Sequence, residues 1–132
     1  MNQDEFIAKV KEKHQKRSND HLLIDCMNTI TEYYKNLSSR ISGIDGKLAV
    51  GFDHNTADYI SVVLFENHLR IKRLDDCITI SFVSEKDNEY TTKYNHLELD
   101  KIVVKNGSLL SETSGTDFSV DLLDNYLKYL LA

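Results

Sequence analysis

Residues able to do chemistry gather in two short stretches of the chain. In NHLRIKRLDD, residues 67–76, the cationic or basic side chains of His68, Arg70, Lys72 and Arg73 crowd together, with Asp75 and Asp76 straight after. Guanidinium and ammonium groups clustered in this way make charge-assisted contacts with a phosphate or a carboxylate. In GFDHNTADY, residues 51–59, Asp53, His54 and Asp58 stand close in sequence. A histidine beside carboxylates is what general acid–base or metal chemistry uses, although aspartate, asparagine and threonine are also ordinary turn formers.

Both stretches lie where the pattern is that of β-structure. From position 47 onward polar and apolar residues alternate and β-branched and aromatic types dominate, which predicts strands at 47–53, 59–65, 68–74, 77–84, 89–99, with a bulge near Asn95, then 101–105 and 108–112. The links between them, at Glu66-Asn67, Asp75-Asp76, 85–88 and Asn106-Gly107, are too short for crossover helices, so neighbours must be antiparallel. Asn106-Gly107 is the most specific local signal, because a type I′ hairpin turn needs positive φ at both positions.

Alternation then sorts the basic stretch. His68, Arg70 and Lys72 share one face of their strand, and Leu69, Ile71 and Arg73 share the other. One reading is a solvated face on a sheet whose other face is covered by helices. The sharper reading is an anion site or an acidic-protein site on Arg70 and Lys72. The neighbouring strand carries Tyr59, Ser61, Val63 and Phe65 on one face and Ile60, Val62 and Leu64 on the other. It is either buried on both sides or contributes an exposed apolar patch rimmed by basic residues, as at a partner surface. Tyr90 and Tyr94 alternate on the long strand; they pack across strands or, with Arg70, line a small-ligand pocket.

Helices are expected on either side of the sheet segment. A peripheral helix within residues 1–17, Gln3 to about Lys16, carries a thin apolar stripe of Phe6, Ile7, Val10 and His14. Ser18-Asn19-Asp20 supplies N-cap chemistry, so a second helix is predicted over 20–42. Its apolar face comprises Leu23, Cys26, Met27, Ile30, Tyr33, Tyr34, Leu37 and Ile41, with Gly43 suited to a left-handed C-terminal position. After Gly115, Thr116 and Asp117 offer a cap for a long last helix over 117–131 with Phe118, Leu122, Leu123, Tyr126, Leu127 and Leu130 on one face. The fold class is therefore α+β in one domain spanning 1–132: two N-terminal helices, a meander of six or seven strands over 47–112, and a long helix on one face of a curved sheet.

Composition narrows the function. A formal net charge of −5 makes nucleic acid and anionic membranes unfavourable partners, and the lysines of the first helix are offset by Asp4, Glu5, Glu12 and Asp20. With no signal-like or spanning apolar run, the expected location is cytoplasmic. The two cysteines, Cys26 and Cys77, form no CxxC pair, and Asp75 and Asp76 would raise the Cys77 thiol rather than activate it. Neither a metal site nor a cofactor motif is present, so no cofactor is expected. The absence of proline beside abundant Lys, Asn, Asp and Ile resembles the composition of proteins from AT-rich bacteria or their phages.

The order of elements resembles that of helix-grip, START-like ligand binders, which normally begin with an extra strand not found here. It also resembles pleckstrin-like barrels, which lack the long leading helices. The function expected is a non-enzymatic accessory protein that binds another protein, or itself as a homodimer, through its sheet or first helix. The alternatives are a small-molecule binder with an apolar cavity between sheet and last helix, and an enzyme using Asp53, His54 and Asp58.

Overall fold

The computed structural model describes residues 1–44, 50–84 and 96–132. Its class is α+β, with seven antiparallel strands in simple sequence order. They are β1 (Gly51–Asn55), β2 (Tyr59–Leu64), β3 (Asn67–Arg73), β4 (Cys77–Ser84), β5 (His96–Lys105), β6 (Ser108–Ser111) and β7 (Thr116–Asp117). Each strand pairs with the next, which makes the expected meander; the link expected at 85–88 lies outside the described residues. At the β5–β6 turn Asn106 and Gly107 have φ of 53° and 76°, the two positive values that a type I′ turn requires. The β2–β3 turn begins instead at Phe65, whose φ of 56° places an exposed aromatic residue in the left-handed region.

The leading helices are one. α1 runs unbroken from Gln3 to Ser42. Ser18-Asn19-Asp20 does not cap a new helix, because without proline or glycine these residues disfavour a helix interior by only about 0.5–0.7 kcal/mol each relative to alanine. The Asn19 carboxamide, instead of capping backbone, accepts from Gln15 one turn back at 3.0 Å. Gly43 is right-handed, with φ −70°, so the left-handed end expected there is not formed.

Only the second part of α1 packs. Leu23, Cys26, Met27, Ile30 and Tyr34 are buried, with Tyr33, Leu37 and Ile41 at the margin, which is the stripe the sequence shows. They meet Ile60 and Val62 of β2, Leu69 and Ile71 of β3, Ile78, Ile80 and Phe82 of β4, and Ile102 of β5. Each such side chain, taken from water, contributes about 1.5–3 kcal/mol, so this inner face dominates stability.

The expected strands 89–99 and 101–105 form one strand from His96. Its bulge falls at Leu99, where the pairing steps from Ile80–Asp100 to Ser81–Glu98. The bulge expected near Asn95 lies outside the described residues.

The last helix is shorter than its apolar pattern implies. Thr116 and Asp117 pair with β6 as β7 instead of capping a helix. Val120–Tyr126 is a 3₁₀ segment, and only Leu127–Leu130 (α2) is α-helical. A 3₁₀ helix has three residues per turn, which aligns Leu123 with Tyr126, the two residues this segment buries. Tyr33 donates to Asp124 at 2.6 Å, and Asn67 donates to the carbonyls of Leu130 and Ala132 at 3.0 Å each. These bonds fasten the segment to α1 and β3. Among the described residues no helix is long and apolar enough to cross a membrane.

Candidate functional site

With the helices on the inner face, the alternation of β3 turns His68, Arg70 and Lys72 to the outer face, as expected. There Arg70 lies between Ser61 of β2 and Ser81 of β4, His68 between Val63 and Val83, and Lys72 between Tyr59 and Thr79.

Asp53 and His54 reach the same face through a β-bulge. Phe52 pairs with Val62 and His54 with Ser61, so Asp53 is the extra residue and the strand's alternation is re-phased. The expected 51–59 loop is therefore mostly strand β1, and its three candidates do not converge on one another. Asp53 Oδ2 lies 3.4 Å from Nδ1 of His68, two strands away. His54 stacks on Tyr59, with ring centroids 4.6 Å apart, and Lys72 Nζ stands 4.8 Å from the same tyrosine ring. Asp58 turns away to Arg73, whose Nε and Nη2 donate to Oδ1 at 3.0 and 2.5 Å.

His68 does not meet water as a solvated face would require. It is 8% exposed, since the flanking valines wall the ring and Asp53 lies against its Nδ1. Burial would raise the Asp53 carboxyl, but the Ser61 hydroxyl, the His68 imidazole, its own backbone amide and His54 together hold it below the usual carboxylate range. In a nucleophilic triad the imidazole stands between serine and carboxylate. Here the Ser61 hydroxyl is fully buried and makes no hydrogen bond to the imidazole, so the cluster is not arranged to activate a nucleophile.

Arg70 and Ser61, paired across β3 and β2, each hold a buried polar atom with no hydrogen-bond partner among the described residues, and of the two only Arg70 is charged. Its Nε is buried and has no hydrogen-bond acceptor, and among the described residues no carboxylate forms an ion pair with it. A buried guanidinium N–H without a partner is costly, on the order of 1–3 kcal/mol, and charge makes it more so. The side chain as a whole is only half-buried, and a guanidinium at a surface is a strong partner for a carboxylate.

Tyr90 and Tyr94 lie outside the described residues. Burial pushes the Cys26 thiol up to about 12. Cys77 is raised too, by desolvation and then by Asp76. Among the described residues no three His, Cys, Asp or Glu side chains are placed to hold a metal ion.

One polar cluster escaped the sequence reading. Asp100 of β5 is turned inward beside Ile80 and is 3% exposed. Its Oδ1 accepts from the amides of Lys101 at 2.7 Å and Thr113 at 3.1 Å, and its Oδ2 from the hydroxyls of Ser111 at 2.6 Å and Tyr126 at 2.5 Å. Burial acts to raise this carboxyl, but the four donors win and hold it low. Plain alternation puts Asp100 with Glu98 on the outer face. The Leu99 bulge reverses that, and no turn residue in the sequence marks it.

Compared with known proteins, the chain matches no family model, no curated protein and no solved structure.

Proposed function

We propose that this is a non-enzymatic interaction protein that engages a carboxylate-bearing segment of another protein on the outer face of its sheet, with Arg70 as the central contact. The observation that carries this reading is the buried, acceptor-less Nε of Arg70, flanked along β3 by His68 on one side and Lys72 on the other. An acidic side chain laid against the strand would complete the guanidinium fork, with Lys72 adding charge at the rim. Enzymatic use of Asp53, His54 and Asp58 has less support, because the three side chains have separate partners. A small-ligand cavity between sheet and last helix also has less support. Leu123, Tyr126 and Leu130 fill that space, and Tyr129 stacks on Phe82 with centroids 5.4 Å apart.

The test is fluorescence anisotropy with a labelled glutamate-rich peptide, repeated with inorganic phosphate as competitor. The expected result is saturable, salt-sensitive binding that Arg70→Met weakens by about tenfold or more, as loss of charge-assisted hydrogen bonds implies. Equal binding by Arg70→Met would overturn the reading. So would saturation by phosphate with no response to the peptide.

A further inference from the structure

The first part of α1 buries nothing, since residues 3–17 are all exposed while the helix continues through them without a break. Its start is well made. The Asn2 side chain accepts from the Glu5 amide at 2.8 Å, and Asp4 and Glu5 sit in the first turn, where negative charge suits the helix dipole. Yet this arm carries Phe6, Ile7 and Val10, exposed by 60%, 50% and 51%.

These three residues do not extend the stripe that packs on the sheet. At 100° per residue Val10 is about 160° around the helix from Ile30, and the Phe6, Ile7 and Val10 group lies nearly opposite the Leu23, Cys26, Met27, Ile30 and Tyr34 group. The arm's apolar side therefore faces away from the body of its own chain, and the body cannot cover it by closing.

Charge along the arm is ordered. Asp4 and Glu5 stand at its start, while Lys9, Lys11, Lys13, Lys16 and Arg17 follow, with Glu12 the only acid among them. A second copy running in the opposite direction reads this order in reverse. With Ile7 of each copy set against Val10 of the other, Asp4 of each falls beside Lys11 of the other, and the Phe6 rings flank the seam. A parallel pair would bring Arg17 level with Arg17 instead, which like-charge repulsion disfavours.

We infer that the exposed arm is a self-association element, in which two copies pair their residues 3–14 antiparallel about a two-fold axis. The two sheets then point away from each other, and both outer faces stay open. The contact involves three apolar residues per copy, so the dimer is weak and reversible. This inference rests on other residues than the Arg70 reading and stands or falls separately.

Sedimentation velocity over about 1 to 300 µM tests it, a range chosen for a micromolar Kd. The expected result is a monomer that becomes a dimer with concentration. Val10→Asp should keep it monomeric while leaving the melting temperature nearly unchanged, since Val10 is exposed and lies outside the packed core. Asp4→Lys or Lys11→Glu alone should weaken the dimer, and the two together should restore it, which only the antiparallel arrangement allows. A monomer at every concentration would overturn the inference. So would a dimer indifferent to Val10→Asp, which must use another surface. If the double charge exchange fails to restore pairing, the antiparallel register is wrong.

Discussion

Asp100 and Arg70 are two polar side chains drawn into the same sheet from opposite faces, and they are treated in opposite ways. On the inner face Asp100 receives four donors, one from the next residue of its own strand and three from Ser111, Thr113 and Tyr126, and so closes the β5–β6–β7 turn onto the 3₁₀ segment. On the outer face Arg70 has a buried N–H that nothing in the described residues accepts. A fully satisfied buried charge holds a fold together. An unpartnered group is not by itself a contact site, since the Tyr34 hydroxyl lacks a partner among the described residues deep in the core. Arg70 is charged and only half-buried on the outer face, and that is the ground of the proposal that the binding surface lies there.

The largest test of the comparison is removal of Asp100. Asp100→Ala leaves the buried Tyr126 and Ser111 hydroxyls and two part-buried amides without their acceptor, and is expected to lower stability by about 3 kcal/mol in urea denaturation. Tyr126→Phe removes one of the four bonds and should lose about 1–1.5 kcal/mol. If Asp100→Ala is nearly neutral, the inner cluster is no fastening and the contrast fails.

Acid should expose the same cluster. Because the folded carboxyl of Asp100 lies below its unfolded value of about 4, its stabilisation is present above that value and is lost as pH falls through the folded one. Stability of the natural protein should therefore fall more steeply on acidification than that of Asp100→Asn, followed by thermal melts between about pH 5 and pH 2.

Arg70→Met gives the smallest and most pointed effect. Removing a cation whose Nε is unsatisfied should leave stability unchanged or raise it by up to about 1 kcal/mol. A loss of about 2 kcal/mol or more would mean that Arg70 is held by the fold and not kept for a partner.

The sequence made some of this legible and hid the rest for identifiable reasons. The packed stripe from Leu23 to Ile41, the strand order and the Asn106-Gly107 turn each follow from a single period or dipeptide, and each is present. The side of β3 that carries Arg70 and Lys72 was equally clear from alternation. The break expected at Ser18-Asn19-Asp20 was not formed, because capping preference is a local bias that a continuous helix easily overrides. The two bulges, at Asp53 and Leu99, were invisible. A single added residue changes which face a side chain takes, and those two places decide the Asp53–His68 pair and the Asp100 cluster. The 3₁₀ form of Val120–Tyr126 also needed the three-dimensional packing, since an apolar spacing of three fits the first turn of either helix.

Arg73 provides the control for the central claim. It lies three residues beyond Arg70 on the same strand, and its Nε already donates to Asp58 at 3.0 Å. The most direct measurement is NMR observation of the two Nε–Hε signals during titration with the glutamate-rich peptide. The expected result is a saturable shift of the Arg70 signal, with Arg73 unmoved. A response from Arg73 equal to that of Arg70, or from neither, would contradict the assignment of the outer face as the binding surface.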